Sequence, residues 1–320
     1  MSERDRVDAF VRDLESIPDV FLRALKPDWV ANAVAAATAR PYRRLLIAGL
    51  GSSRFAAQLV EDLFVLHDLQ VVLQPAGADR GPSPGADLLT IAISASGRTG
   101  EVVETAKRYH GAGKVIAITR NGSSPLAVAA DTVAILPVEA ESSGIACTTF
   151  VATIAALLHI GVALPGPRGS TKEPDALREG LTRAAEVTRE LLATRDAWLP
   201  PALELLDWVE DIAVLAPWSQ RGAAGQAALH LRECPRRSAA AYETAEWLHV
   251  GIYTALPGSA VLLFDDGTPA DKAVEQVCAD RGVRLVRVPG PKFDGLTRST
   301  AASLLAAELW RRVTEHRARR

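Results

Sequence analysis

The feature that most constrains this fold is an apolar strand that runs directly into a loop of small hydroxyl residues and glycine. Residues Leu88 to Ile93 are apolar except for Thr90, and the next six read Ser-Ala-Ser-Gly-Arg-Thr, just before a predicted helix. Ser94, Ser96 and Thr99 offer hydroxyl donors, Gly97 allows close backbone approach, and the helix start adds unpaired N–H groups and a positive dipole end. The pattern predicts a phosphate-binding loop; the alternative is a strand-to-helix turn capped by Ser or Thr.

The same alternation of strand, loop and helix recurs through the first half of the chain. The run 44–50 leads into Gly51-Ser52-Ser53, and further apolar runs separated by helical stretches lie at 71–73, 115–118 and 133–136. Such alternation predicts an α/β fold: a doubly wound parallel sheet in a three-layer αβα arrangement, flavodoxin-like or Rossmann-like. Ligands of such sheets bind at the carboxyl ends of the strands, where both Gly/Ser loops are expected.

A second domain of similar construction is predicted downstream. The chain of 320 residues has room for two domains, and the Pro- and Gly-rich stretch 165–174 is typical of a linker. Beyond it, apolar runs at 212–215, 260–264 and 285–288 again alternate with helical stretches, and a long helical pattern over 146–162 closes the first half. The sequence therefore predicts N-terminal helices over 1–30, a first α/β domain over 31–165 and a second over 176–320.

Composition and short motifs exclude several functional classes. A net charge of −2 with 48% hydrophobic residues is typical of an ordinary globular protein and argues against nucleic-acid binding. No apolar run is long enough for a membrane span, and the charged N-terminus does not resemble a signal peptide, so a cytoplasmic protein is expected. The three cysteines and six histidines lack metal-ligand spacing, and Gly49-Leu-Gly51 lacks the third glycine of a dinucleotide fingerprint. No metal and no cofactor are expected.

Three loops resemble those of the sugar isomerase (SIS) domain family, especially the isomerase half of glutamine:fructose-6-phosphate amidotransferases. They are Gly51-Ser-Ser53, Ser94-Ala-Ser-Gly-Arg-Thr99 and Gly144-Ile-Ala-Cys-Thr148, where the family has G-V-A-S-T at the third loop. The resemblance implies two SIS domains and a bound sugar phosphate, a hexose or hexosamine 6-phosphate. The residues it assigns to that ligand are Gly51, Ser52, Ser53, Ser94, Ser96, Gly97, Thr99, Ala146, Cys147 and Thr148. Cys147 replaces a serine and is a weaker hydrogen-bonding group.

The resemblance also assigns catalytic roles in the second domain. Glu233 and His249 are sixteen residues apart, as are a glutamate and a histidine of the family, which implies that Glu233 is the proton-moving base and His249 the ring-opening residue. Interconversion of an aldose and a ketose requires a base beside a carbonyl and an acid–base group at the hemiacetal. The alternatives are a solvated surface acid and a packed histidine. Gln226 and His230 replace a family glutamate and lysine on the helix face of Glu233, and are candidate pocket residues.

Two classes of function remain open. The first is an enzyme, an aldose–ketose sugar phosphate isomerase or an amino-sugar phosphate deaminase or deglycase. The second is a non-catalytic phosphosugar sensor that regulates a partner protein. The resemblance further implies a homodimer in which the active-site histidine comes from the neighbouring subunit. The sequence begins directly at the SIS region, so no glutaminase domain is expected, and the lysine-bearing C-terminal loop of the amidotransferases has no counterpart.

Overall fold

The structure, a computed structural model, describes residues 1–67, 69–165 and 174–318. Backbone packing divides the chain into two units. The five-stranded unit, named for its sheet, comprises Asp19–Ala140 and Thr148–Ala185. The four-stranded unit comprises Met1–Pro18, Glu141–Cys147 and Glu186–Arg320.

Helices and strands alternate along most of the chain. The helices are α1 (Glu3–Glu15), α2 (Ile17–Ala24), α3 (Ala31–Thr38), α4 (Ser52–Val65), α5 (Gly100–Tyr109), α6 (Pro125–Val128), α7 (Thr148–Ala163), α8 (Pro174–Ala193), α9 (Arg195–Leu206), α10 (Arg221–Glu233), α11 (Thr244–Trp247), α12 (Pro269–Arg281) and α13 (Gly295–Ala318). The strands are β1 (Arg44–Gly49), β2 (Gln70–Pro75), β3 (Leu88–Ile93), β4 (Lys114–Thr119), β5 (Thr132–Ile135), β6 (Asp211–Ala216), β7 (Ser238–Glu243), β8 (Ala260–Leu263) and β9 (Arg284–Arg287).

The sheet of the five-stranded unit is parallel, with strand order β2-β1-β3-β4-β5. Ile91 of β3 pairs with Ile47 of β1 and with Ile116 of β4. β3 is buried along its whole length, since helices cover both faces of a parallel sheet, and this explains why all of its residues except Thr90 are apolar. The chain leaves β1 towards β2 and leaves β3 towards β4, so the order of strands reverses between β1 and β3.

The sheet of the four-stranded unit is also parallel, with order β7-β6-β8-β9. Val214 of β6 pairs with Ala241 of β7 and with Leu262 of β8. The edge strand β7 has no counterpart among the predicted strands, because its sequence Ser-Ala-Ala-Ala-Tyr-Glu carries no β-branched residue. Two parallel sheets with flanking helices confirm the predicted three-layer α/β class.

Two predicted boundaries need comment. The helix expected over 146–162 begins at Thr148, because the carbonyl of Ala146 and the N–H of Cys147 are bound by side chains of other residues. Most of the predicted linker falls on 166–173, which lies outside the described residues. Over the part of the chain that the structure describes, no helix is both long and apolar enough to cross a bilayer.

Candidate functional site

Two of the predicted loops lie at the point where the order of strands reverses in the five-stranded unit. The loop at Gly51 follows β1, and the loop 94–99 follows β3. Since β1 and β3 are parallel neighbours, both loops leave the same edge of the sheet. Each leads into the first turn of a helix, α4 or α5, where backbone N–H groups have no partner within the helix. This edge is where doubly wound sheets bind their ligands.

The first of these loops depends on glycine. Gly51 has φ 51° and ψ −128°, a conformation that residues with a Cβ rarely adopt, and it precedes the first residue of α4. Its carbonyl accepts from the N–H of Phe55 at 3.0 Å. Ser52 and Ser53 lie in the first turn of α4, both half-buried. Two hydroxyls therefore lie at this helix start, while the N–H groups of Ser53 and Arg54 donate to the carbonyls of Leu50 and Gly51.

The second loop is closed by a bond between two of its predicted ligands. The hydroxyl oxygens of Ser94 and Thr99 are 2.9 Å apart, and Ser94 is buried. Gly97 has φ 66°, and its N–H donates to the carbonyl of Ser94 at 2.9 Å. The hydroxyl of Ser96 accepts from the N–H of Arg98 at 3.2 Å. Thr99 precedes α5 but does not cap it, because its hydroxyl is turned to Ser94.

Side chains from the end of β4 and the start of α6 support this second loop, and no motif in the sequence predicts them. The hydroxyl of Thr119 donates to the carbonyl of Ala95 at 3.2 Å. A Cβ on Gly97 would collide with the side chain of Ser124, which is buried and caps α6. The loop backbone is therefore packed against fixed groups. Its hydroxyls, together with the N–H groups of α5, form a site suited to an anion.

The third predicted loop is divided between the two units. Residues up to Cys147 belong to the four-stranded unit, whereas Thr148 is the first residue of α7 in the five-stranded unit. Gly144 has φ 76°, and Cys147 is buried. The N–H of Cys147 donates to Oε1 of Glu141 at 3.2 Å, so a carboxylate of the same loop holds that backbone group.

Gln226 and His230, one turn apart on α10, form a buried polar pair with this loop. Nε2 of Gln226 lies 2.9 Å from the carbonyl oxygen of Ala146 and 2.7 Å from Nε2 of His230. On the other side of the ring, Nδ1 of His230 lies 2.9 Å from the hydroxyl of Ser303, which donates to the carbonyl of Ser299. The Ser303 hydroxyl therefore accepts from Nδ1–H, and the unprotonated Nε2 accepts from the Gln226 amide.

This pair carries no charge at neutral pH. Both side chains are fully buried, and loss of solvation lowers the pKa of His230 to about 4 despite the nearby Ala146 carbonyl, which acts in the opposite direction. Oε1 of Gln226 is buried without a hydrogen-bond partner. The structure thus brings Gln226, His230 and Ala146 together as a neutral cluster with one unused acceptor.

Glu233 ends α10, three residues beyond His230. Its side chain is exposed, yet the protein around it removes enough solvent to raise the pKa of the carboxyl, and the charge of Arg232 opposes that rise. The adjacent Cys234 is buried, and burial with the Glu233 charge raises the pKa of its thiol, which keeps it unreactive. A carboxylate of raised pKa is a stronger base near neutral pH.

His249 lies on the turn after α11. Its side chain is exposed, and its N–H donates to the carbonyl of Glu246 at 3.0 Å. The turn is fixed by Trp247, which is buried and packs so closely on Gly251 that a Cβ there would collide with the ring. Within the described residues, no hydrogen bond or ion pair joins His249 to Glu233.

Comparisons with known proteins agree with this geometry. Residues 40–163 match the SIS domain family. The chain is 30% identical over 228 residues to a glutamine–fructose-6-phosphate aminotransferase (isomerizing) of Aeropyrum pernix, an alignment that covers 68% of this chain and 36% of that protein. The chain therefore spans about a third of the length of the curated relative it matches.

Solved structures share the whole architecture. The C-terminal domain of glucosamine-fructose-6-phosphate aminotransferase from Francisella tularensis superposes with a TM-score of 0.77 at 15% identity, covering 96% of each chain. Glucosamine-6-phosphate deaminase from Thermotoga maritima gives 0.76 at 18% identity, covering 96% of this chain and 94% of that one. At these identities the likeness establishes the fold. The chain contains a SIS domain over residues 40–163, and the resemblance seen in its loops is confirmed.

Proposed function

We propose that this protein binds a hexose or hexosamine 6-phosphate at the carboxyl ends of β1 and β3. The observation that carries the proposal is the pairing of two loops at the strand reversal, each with hydroxyl side chains and a helix start. The ligand phosphate would accept from Ser52, Ser53, Ser94, Ser96 and Thr99 and from the N–H groups that open α4 and α5. Gly51 and Gly97 allow the backbone to approach it, and the third loop, with Ala146, Cys147 and Thr148, would contact the sugar.

We further propose that the bound sugar undergoes proton transfer between C1 and C2. Glu233 would remove the C2 proton of the open-chain aldose, giving an enediolate, and return it to C1, while the proton on the C2 oxygen moves to the C1 oxygen, to give the ketose. His249 would move a proton between the ring oxygen and the anomeric hydroxyl when the ring opens. The raised pKa of Glu233 supports its role as the base. No metal or cofactor takes part in the proposed reaction.

A hexosamine phosphate fits the same step. Moving the C2 proton of a 2-amino aldose to C1 yields an imine at C2, and addition of water there releases ammonia and leaves the ketose. The Glu233 carboxylate is the same base in both reactions. The distinction between an isomerase and a deaminase or deglycase therefore depends on the C2 substituent that the site accepts.

A proton NMR time course in heavy water tests this proposal. The protein is incubated with glucose, fructose and glucosamine 6-phosphates, and the C1 and C2 proton signals are followed. We expect one sugar to lose its C2 signal, or its C1 signal if that sugar is fructose 6-phosphate, and Glu233→Gln to slow the loss at least a hundredfold. Glu204→Gln, at an exposed carboxylate on α9, is the matched control and should exchange at the wild-type rate. Equal exchange by Glu233→Gln and wild type would remove Glu233 as the base.

The second candidate function is a phosphosugar sensor, and the neutral Gln226–His230 pair favours it. Both side chains are buried and bound to each other, in positions where the amidotransferases carry charged residues. A sensor would bind one of the three sugars, seen as line broadening or a shift, without exchange at C1 or C2. That result would support binding and overturn catalysis.

We also propose that the chain consists of N-terminal helices over 1–30, a first SIS domain over 31–165 and a second over 176–320. We further propose that two copies of the chain form a homodimer with shared sites. In a shared site Glu233 and His249 come from different subunits. Glu233→Gln and His249→Asn would then each be inactive, and their mixture would regain up to half the activity of wild type in the mixed dimers. An active monomer by light scattering would contradict this arrangement.

A further inference from the structure

The N-terminal helix α1 holds the segment that leads into the third predicted loop mainly through one carboxylate, and Nε of Arg6 adds a longer bond to the carbonyl of Ser143 at 3.4 Å. Asp13 accepts at Oδ2 from the N–H of Ser143 at 3.1 Å and from its hydroxyl at 2.8 Å, and at Oδ1 from the hydroxyl of Ser142 at 3.0 Å. All of these residues belong to the four-stranded unit. Three donors from two consecutive residues on one carboxylate fix both the position and the direction of the loop.

The bonds continue from Ser143 into the part of the loop that the proposed substrate would meet. Ser143 is buried, and its hydroxyl oxygen accepts from the N–H of Ile145 at 3.1 Å while it donates to Asp13. Within the same loop, Glu141 accepts at its carbonyl from the N–H of Gly144 at 3.1 Å and at Oε1 from the N–H of Cys147. Asp13 thus connects to the backbone just before Ala146 through one buried hydroxyl.

The position of Asp13 is itself set by α1 and its neighbours. Ser2 and Asp5 form a reciprocal cap at the start of α1. Within this first turn, Glu3 accepts from the indole of Trp310 at 3.0 Å. Farther along α1, Asp8 pairs with Arg311. Trp310 and Arg311 both lie on α13. A helix anchored at its start and middle presents the carboxylate at its end in a defined place.

We propose that Asp13 is a positioning residue of the substrate site: through Ser143 it orders the loop that carries Ala146 and Cys147. The inference rests on the proposed binding of a sugar phosphate by that loop. This role of Asp13 would make helix α1 contribute to binding, although no α1 residue is a predicted ligand. Asparagine at this position keeps one acceptor oxygen but places an amide donor against the donors of Ser142 or Ser143, so a carboxylate is required.

The first experiment compares Asp13→Asn and Asp13→Ala with Asp8→Ala. Asp8→Ala removes an ion pair between α1 and α13 but no bond to the loop, and is the matched control. For the sugar that exchanges in heavy water, we expect KM to rise at least tenfold in both Asp13 variants, with kcat within threefold of wild type. Asp8→Ala should keep the wild-type KM. A wild-type KM in folded Asp13→Ala would overturn the proposal.

The second experiment needs no substrate, so it separates this inference from the proposed function. Hydrogen exchange of the free protein should show the amides of Ser143 and Ile145 exchanging at least tenfold faster in Asp13→Ala than in Asp8→Ala. Unchanged exchange would overturn the proposal even if sugar phosphates bind. If instead neither fructose 6-phosphate nor glucosamine 6-phosphate binds the wild type, the proposed function fails, and exchange alone decides whether Asp13 orders the loop.

Ser143→Ala tests the same connection from the loop side, and serves where Asp13→Ala does not fold. It should raise KM as Asp13→Ala does, and the double variant should show no further increase, because both changes break one chain of hydrogen bonds. Additive effects in the double variant would contradict the connection.

Discussion

Nε2 of Gln226 lies 2.7 Å from Nε2 of His230, and this contact fixes the imidazole as a neutral acceptor between α10 and the carbonyl of Ala146. The resemblance to the amidotransferases predicts a changed charge pattern at these two positions. The structure adds the physical consequence: the ring is so well enclosed that it stays neutral, with Ser303 holding its other nitrogen. The pH at which this arrangement fails can be measured.

The stability of the protein should fall as the pH is lowered from about 6.5 to about 4. The unfolded chain binds a proton at His230 near pH 6.5, whereas the folded chain resists until about pH 4. Over that window the unfolded state binds more protons, so acid favours it, by about 3 kcal/mol in total from this one group. Urea unfolding at several pH values should show a smaller loss for His230→Gln.

Gly97→Ala should destabilise the protein by about 2 to 4 kcal/mol, because it adds a left-handed backbone cost to a collision with Ser124. Gly100→Ala offers a matched control three residues away, since a Cβ there meets nothing within 4 Å. Thermal unfolding of both variants checks the difference. Equal melting temperatures would show that the loop backbone can adjust.

Thr99→Val should weaken binding of fructose 6-phosphate about tenfold. The change preserves shape but removes the hydroxyl that meets Ser94 at the proposed phosphate site. Thr105→Val, on the same helix, removes a hydroxyl that donates to the carbonyl of Glu101, and is the control. Isothermal titration calorimetry distinguishes the two. Equal affinities would exclude Thr99 from the phosphate contacts.

The acid limb of the profile of kcat/KM against pH should be set by protonation of the Glu233 carboxylate. Because partial desolvation raises its pKa and Arg232 opposes that rise, Arg232→Gln should move the limb to higher pH. The profile of kcat/KM against pH, taken with the exchanging sugar, measures the shift. A shift to lower pH, or none, would assign the limb to another group.

The fold and the two loops of the five-stranded unit follow from local sequence. Leu88–Ile93 is apolar except for Thr90 because both faces of β3 are covered, and the glycine and hydroxyl residues after it mark the turn into α5. β7 could not be predicted in this way. Its alanines have low strand propensity, and pairing with β6 is what makes the segment a strand.

The sequence by itself determined the parallel α/β class, the placement of Gly51 and the 94–99 loop at strand ends, and the residue types suited to a phosphate. These depend on periodicity and turn chemistry within a few residues. Only the tertiary structure decided that Asp13 holds Ser143, 130 positions away, and that His230 is buried beside Gln226 and Ser303. Such bonds join residues distant in sequence, and burial sets their protonation, so no local pattern records them.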